Sequence, residues 1–287
     1  MNIALKEHLE YILCVSIDSV RSISGGDISR AYLLETESER FFCKTNASEQ
    51  AYDMFVAEKK GLETIGKTKT IAVPKVLLCE PLEKGGLLLM EYIEPRKAST
   101  TEMARFGHEL AALHQQSAGK DFGGDADNFI GSLPQSNRKH PDWSGFYVEE
   151  RLLPQLKSAR DRNHLQDHEI PSEQRLLTTC KNLFPKVGPS LLHGDLWSGN
   201  FLISKDGTPY LIDPATYYGH HEVDIAMTRL FGGFGTPFYN AYREHFPEII
   251  GTAERNDLYQ LYYLLVHLNL FGGTYYQNVK QLLDRYF

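Results

Sequence analysis

Asp195, Asn200 and Asp213 are the residues whose types and order bear most directly on chemistry in this 287-residue chain. Asp195 closes His193-Gly194-Asp195, and Asn200 ends the Leu196-Trp197-Ser198-Gly199-Asn200 run that follows. Asp213 comes next, at the end of the apolar run Tyr210-Leu211-Ile212. Phosphoryl transfer from ATP needs a carboxylate to position a hydroxyl, oxygen ligands to hold a divalent metal, and a cation on the non-transferred phosphates. Protein kinases set the first two out as HRDxxxxN followed by DFG. The spacing here is that of a kinase catalytic loop and metal-binding Asp, but Gly194 and Asp213-Pro214-Ala215 point away from protein kinases. Taken singly, each of the three reads as a turn-capping loop residue. Their joint spacing, with both acids just beyond apolar strands, turns that reading toward a catalytic cleft. His193 reads as a residue that orders the loop rather than one that transfers protons.

The elements that must position these groups are legible as periodicities. Residues 1–13 carry apolar side chains at helical spacing. Tyr32-Leu33-Leu34 and Arg40-Phe41-Phe42-Cys43-Lys44 read as a hairpin, and Val73 to Leu78 and Gly86 to Glu91 as two further strands. Ala51 to Ile65 reads as a helix packing one face on that sheet. Lys44, at a strand end, and Glu58, in this helix, have the placement of a phosphate-binding cation and its carboxylate partner. Alone they would read as a solvated lysine and a surface charge. Gly25 and Gly26, within Ser24 to Ser29, permit a backbone turn over phosphates, although Gly-Gly is usually just a turn. Met90-Glu91-Tyr92-Ile93 stands where a kinase hinge offers backbone groups to adenine, or is an ordinary strand end.

After Pro95 helices dominate. Met103, Phe106, Leu110 and Leu113 mark a helix ending near His114, and Leu258, Leu261, Tyr262, Leu265 and Leu268 mark another apolar stripe. Leu191-Leu192-His193 and Tyr210 to Asp213 read as short strands. The expectation is an α+β, bilobal fold with a small antiparallel-sheet lobe over residues 1–93 and a mainly helical lobe over 94–287.

Composition agrees. Apolar residues make up 42% and charged residues 23%, ordinary for a globular chain, and the net charge of −7 argues against a nucleic-acid or anionic-membrane partner. Cys14, Cys43, Cys79 and Cys180 are scattered without metal or disulfide spacing, which suggests a reducing cytoplasm. Charges among residues 1–13 break any signal-peptide core, and no run is apolar enough to span a bilayer.

Across nearly its whole length the sequence resembles the fructosamine kinases (ketosamine 3-kinases), relatives of the aminoglycoside phosphotransferases. His193-Gly194-Asp195 and Phe106-Gly107-His108-Glu109-Leu110-Ala111-Ala112-Leu113-His114 look like elements shared by small-molecule kinases of this type. Leu196 to Asn200, Asp213-Pro214-Ala215, Tyr218-Gly219-His220, Phe231-Gly232-Gly233-Phe234 and the Asn128 to Leu156 signature look specific to fructosamine kinases. The resemblance implies that Asp195 accepts the proton of a sugar 3-hydroxyl attacking the γ-phosphate of ATP. It implies Asn200 and Asp213 as Mg²⁺ ligands, and Lys44, oriented by Glu58, on the α/β-phosphates. Ser24 to Ser29 would cover the phosphates, and Glu91, Tyr92 and Ile93 would bind adenine. The acceptors would be ketosamine small molecules or glycated protein amines, and the role would be deglycation.

Asp27 stands where vertebrate members carry a Cys, so redox regulation does not carry over, and a carboxylate there is expected to point away from phosphates. Cys43 reads as a small buried strand residue. Trp197 is expected against the sugar ring, with a core anchor as the other reading. His220, His221, Glu222 and Asp224 are dense but lack a metal-ligand pattern. Asp224 is expected to brace the catalytic loop and His220 to form part of the substrate-side wall. Trp143, Phe146 and Tyr147 face the acceptor or form helix core. The rival readings are a kinase of an aminoglycoside, choline or homoserine, and a nucleotide-binding pseudokinase.

Overall fold

The computed structural model describes residues 1, 3–23, 29–116 and 119–287. Gly25, Gly26 and Asp27 therefore lie outside the described residues. From the N-terminus run α1 (Ile3–Leu13), β1 (Ser19–Ile23), β2 (Arg30–Glu35), β3 (Arg40–Asn46), α2 (Ala51–Thr68), β4 (Val76–Pro81) and β5 (Gly86–Glu91). The five strands form one antiparallel sheet in the order β1-β2-β3-β5-β4. α1 covers one face through Leu9, packed with Ile17, Leu34, Phe41 and Leu87. α2 covers the other through Phe55 and Leu62 against Leu88 and Met90. The alternation of buried side chains along β3 and β5 thus serves two separate cores. β4 begins at Val76 rather than Val73, because Pro74 has no N–H to give a ladder.

Pro95 and Arg96 form β6, which pairs with β10 rather than with the first sheet. Next come α3 (Thr100–His114), the hairpin β7 (Asn128–Ile130) and β8 (Leu133–Gln135), α4 (Trp143–Tyr147), a π-helical turn at Val148–Leu152, α5 (Leu153–Asp161) and α6 (Glu173–Leu183). Then follow β9 (Ser190–Leu192), β10 (Phe201–Ser204), β11 (Pro209–Leu211), β12 (Tyr217–Gly219), α7 (Glu222–Leu230), α8 (Thr236–Arg243), α9 (Thr252–Phe271) and α10 (Tyr276–Tyr286). The short ladders β9–β12 and β10–β11 flank the stretches that carry Asp195 and Asp213.

α3 starts with a capping box. The Ser99 hydroxyl accepts from the Glu102 amide at 3.3 Å, and the Glu102 carboxylate accepts from the Ser99 amide at 2.8 Å. α9 departs from a single apolar stripe. It is buried nearly all round, from Leu258 and Tyr259 through Leu268, because α5, α7 and α10 all pack on it. The largest core gathers around it, taking in Trp143, Phe146 and Tyr147. A second core joins Ile65 and Ile71 to Phe106, Leu110 and Leu211, so α2 and its following loop are packed onto the helical part.

Gly107 shows how tightly α3 and α8 meet: a Cβ there would lie 2.3 Å from the Phe238 carbonyl oxygen. Alanine at an ordinary helix position stabilises by about 1 kcal/mol over glycine, whereas forcing atoms into a packed contact costs about 1–3 kcal/mol. Here the obstacle is backbone, which cannot rotate aside. Gly107→Ala is expected to lower the urea midpoint of unfolding; an unchanged or raised midpoint would show that the two helices can separate freely.

Candidate active site

The catalytic-loop candidate hangs from the end of β9 and is fixed by backbone contacts. Gly194 adopts φ +84°, and a Cβ there would lie 2.1 Å from the Ala215 carbonyl oxygen, so only glycine fits between the two loops. The Ala215 amide donates to the His193 carbonyl at 2.8 Å, and the Ile212 amide to the Asn200 carbonyl at 3.0 Å, closing one loop onto the other. His193 is fully buried. Its Nδ1 accepts from the Asp195 amide at 3.2 Å while Nε2 donates to the Ile212 carbonyl at 2.9 Å. That pattern requires the neutral ring, and burial lowers its pKa accordingly. The loop-ordering role expected of His193 is what these contacts perform.

Beneath the loop lies Asp224, at 0% exposure. Its two oxygens accept from the His193 amide at 2.7 Å and the Gly194 amide at 2.9 Å, and His114 Nε2 donates to it at 3.0 Å. Burial alone would raise this carboxyl, but the hydrogen bonds and nearby imidazoles hold it below its ordinary value. The brace role expected of Asp224 matches this placement. From α9, the Tyr263 hydroxyl donates to the Gly194 carbonyl at 2.8 Å.

Asp195, Asn200, Asp213, Lys44 and Glu58 come together at a cleft with a cavity of about 640 Å³. Asn200 Nδ2 donates to the Asp195 carboxylate at 3.1 Å and to its carbonyl at 2.8 Å. Burial, and then the charge of Asp213, push the Asp195 carboxyl up to about 7, against the pull of that hydrogen bond. Lys44 Nζ donates to Glu58 at 2.8 Å and is ion-paired to Asp213. Burial works against its charge, yet the two carboxylates hold it above the ordinary lysine range. Burial also pushes Glu58 upward against Lys44, while Asp213, despite its own burial, is lowered by the ammonium. Asp213 sits at φ +55°, a left-handed conformation that Asp tolerates and that turns it off the strand into the cleft. Pro214 docks on α2 at Gly61, where a Cβ would approach the proline ring to 2.9 Å. Three carboxyl groups share one ammonium, and of them Asp213 is the one held in its charged form. With hard oxygen donors on Asp213 and Asn200, the site suits a divalent cation such as Mg²⁺.

Trp197 lines the cavity with 38% of its surface exposed. Its indole lies over Gly199, where a Cβ would come within 2.5 Å of the ring. Ser29 and Ala31 also line the cavity. Glu91, Tyr92 and Ile93 do not line the cavity. The Glu91 amide donates to the Lys75 carbonyl at 3.0 Å and the Tyr92 amide to Arg40 at 3.3 Å, so of the three amides only that of Ile93 remains a candidate for adenine.

His220 departs from expectation. It is 1% exposed and lies in the interior rather than on a substrate-side wall. Trp143 Nε1 donates to the Tyr259 hydroxyl at 2.9 Å, and that hydroxyl is hydrogen-bonded to His220 Nδ1 at 2.7 Å. Trp143 is accordingly core, 4% exposed. Burial keeps the His220 ring neutral, holding it well below its ordinary value.

The sequence reading gave no role to several residues that shape the cleft. Phe129 and Gly131 of the β7–β8 hairpin form one wall, and Phe231, His267, Phe271 and Tyr275 another. Arg151, fully buried, donates to the Ser136 carbonyl at 2.6 Å and to Asn137 Oδ1 at 2.7 Å. Its guanidinium lies 4.0 Å from the Tyr217 ring centroid, tying the hairpin to the catalytic-loop floor. The cluster of Phe271-Gly272-Gly273-Thr274-Tyr275-Tyr276 directly after a long apolar helix was the available signal.

The sequence profile of the family described as Fructosamine kinase matches residues 4–287. The chain belongs to the fructosamine kinase family. It is therefore an ATP-dependent phosphotransferase. A probable ketoamine kinase of Synechocystis sp. is 42% identical over 272 residues, covering 94% of this chain and 90% of that protein. A chloroplastic protein-ribulosamine 3-kinase of Arabidopsis thaliana is 41% identical over 277 residues, covering 94% and 83%. The crystal structure of a putative fructosamine-3-kinase from Haemophilus somnus superposes with TM-score 0.87 at 27% identity, covering 98% and 96%. An aminoglycoside phosphotransferase, APH(4)-Ia, matches at TM-score 0.64 and 15% identity, which shows the shared protein-kinase-like fold alone. Among the described residues, no helix is long and apolar enough to cross a membrane.

The neutral His220 makes a pH prediction. Burial, then the charges of Arg255 and His114, hold its pKa at about 3. An unfolded histidine takes a proton near pH 6.5, so below that pH the unfolded state binds a proton that the folded state refuses. Stability is then lost as pH falls from 6.5 toward 3, by up to about 1.4 kcal/mol per pH unit for this group. His220→Asn keeps an acceptor for Tyr259 without titrating. Its unfolding free energy is expected to fall less steeply between pH 6.5 and 5 than that of the parent protein; equal slopes would mean the proton is taken up elsewhere.

Proposed function

We propose that the chain transfers the γ-phosphate of ATP to the 3-hydroxyl of a ketosamine, a fructosyl, ribulosyl or erythrulosyl adduct of an amine. The carrying observation is Asp195, a carboxyl with a pKa near neutral, beside Asn200, Asp213 and Lys44 in one cleft. A general base works best with a pKa near the operating pH. Asp195 accepts the proton of the 3-hydroxyl as that oxygen bonds to the γ-phosphorus. The bond from phosphorus to the β–γ bridging oxygen breaks, and ADP leaves. Lys44, held by Glu58, faces the α/β-phosphates. Asp213 and the Asn200 amide oxygen would hold Mg²⁺, which when bound neutralises charge on the phosphate oxygens. Ser24 to Ser29, with Gly25 and Gly26, would lie over the phosphates and Ile93 would meet adenine.

Trp197 offers its exposed face to the sugar, since an aromatic face packs on the apolar face of a sugar and the indole N–H can donate. The ketosamine 3-phosphate then breaks down and frees the amine, which makes the reaction a repair step on small glycated amines or glycated proteins. The ribulosamine kinase and ketoamine kinase names of the relatives support this acceptor class. A division at residues 93 and 94 into a nucleotide-side and an acceptor-side part is supported by β6, which leaves the first sheet for β10. The four cysteines are unpaired, which supports a reducing compartment such as the cytoplasm.

With a ribulosamine, a fructosamine and an erythrulosamine as acceptors, ATP and Mg²⁺ are expected to give a phosphate on O3, located by NMR. Asp195→Asn keeps shape but removes the base, and kcat is expected to drop about 10²- to 10⁴-fold. Phosphate at another position, or full activity of Asp195→Asn, would overturn the assignment.

A further inference from the structure

An acceptor kinase must deal with its substrate's positive charge, and the described residues of the cleft set no carboxylate aside for it. Among the described residues lining the cavity, the carboxylates are Glu58, Asp195 and Asp213. Glu58 and Asp213 are ion-paired to Lys44, and Asp195 takes a hydrogen bond from Asn200. Each already has a role in the transfer, so none is set apart for an ammonium.

The cavity offers aromatic surface instead. Beyond Trp197, the wall continues through Phe231, whose ring centroid is 6.5 Å from that of Trp197 in an edge-on arrangement. His267 lies 4.9 Å from Phe231, 5.6 Å from Phe271 and 5.1 Å from Tyr275, so the rings are continuous. Phe271 keeps 48% of its surface exposed, at the end of α9, where burying a ring against its own core would be favourable. His267 Nδ1 donates to the Tyr263 carbonyl at 2.8 Å, which fixes the ring among the other three.

We propose that the ammonium of the ketosamine is held against the faces of Phe231, Phe271 and Tyr275 by cation–π attraction, without a carboxylate partner. This rests on the reading of the preceding section. A ketosamine carries its amine on C1, two carbons from the reacting hydroxyl on C3. With the sugar against Trp197, the amine reaches the next rings outward. Ring faces attract a cation within about 6 Å of the centroid and are most effective when it is partly desolvated. They take one alkylated ammonium well, because its carbon substituents also gain apolar contact. They neutralise a polycation poorly, because no formal negative charge is present. Selection of a singly charged, alkylated amine over the polyamines taken by acid-lined pockets follows from the composition of this wall.

The test compares two acceptors built on one ketose: an N-alkyl-1-amino-1-deoxyketose and its 1-O-alkyl ether, which has the same shape but no charge. Binding of each to the full chain carrying Asp195→Asn is measured by calorimetry with ADP and Mg²⁺, and KM is measured on the parent protein. The amine is expected to bind roughly tenfold more tightly than the ether. In Phe231→Leu and Phe271→Leu that ratio is expected to fall to within about twofold of one, because leucine keeps apolar contact without the ring's charge distribution. Phe231→Tyr, which keeps a ring, is expected to retain the preference. Equal binding of amine and ether by the parent protein would overturn the proposal, as would a preference that survives both leucine variants. Absence of turnover on either acceptor would overturn the kinase assignment to ketosamines, whereas the calorimetric ratio still decides the role of the aromatic wall.

Discussion

The Asp224 carboxylate, sealed from solvent beneath the catalytic loop, is the constraint on which the rest of the site depends. A charge taken out of water without partners would cost several kcal/mol. Asp224 is instead surrounded by the His193 and Gly194 amides and by His114 Nε2. Those amides belong to the two residues immediately before Asp195, so satisfying the buried charge and fixing the backbone at Asp195 are one event. His114 ends α3, Asp224 lies in α7, and Tyr263 reaches the same loop from α9. Three helices thereby converge on a few peptide units. The loop is held before any substrate arrives, and preorganisation of this kind is what positional catalysis requires.

The electrostatics of the cleft follow from a second imbalance. Lys44 stands between Glu58 and Asp213, and Asp195 lies close enough to Asp213 for its own proton affinity to rise. Burial raises the Asp195 carboxyl toward neutrality first, and the Asp213 charge adds to it. The Lys44–Asp213 ion pair in turn holds Asp213 in its charged form. It also joins the two parts of the molecule, since Lys44 lies on β3 and Asp213 follows β11. The Pro214–Gly61 contact adds an apolar fastening beside this polar one, with Gly61 one turn beyond Glu58 on α2. The helix that orients the lysine is thereby registered against the loop that carries Asp213.

Spacing made Asp195, Asn200, Asp213, Lys44 and Glu58 legible from sequence because each lies at a fixed offset from a strand or helix end, and strand and helix periods are local properties. The hairpin of β2 and β3, α2, α3 and the Asp224 brace were readable for the same reason. His220 was not. A histidine beside other polar residues looks like a site, and only its burial against Trp143 and Tyr259, residues far apart in sequence, shows that it is a neutral interior residue. α9 was misjudged in degree, since a stripe of leucines says that one face is buried and nothing about what covers the others. The wall of Phe231, Phe271 and Tyr275 escaped because aromatic residues near a helix end read equally as packing; their shared cavity is a tertiary fact.

Around the cleft, several glycines stand where two backbones or a ring and a backbone nearly touch. Gly194 admits the Ala215 carbonyl, Gly199 admits the Trp197 indole, and Gly61 admits Pro214. Each close approach fixes a functional group one or a few residues away: Asp195, Trp197 itself, and Asp213 with Glu58. A side chain at any of the three would displace its neighbour even though none of these glycines lines the cavity. The Gly-for-Arg departure from the protein-kinase loop and the Pro-Ala departure after Asp213 therefore meet at one contact. A side chain at position 194 would need the space that the Ala215 carbonyl fills, while Pro214 of the same stretch packs on α2 at Gly61.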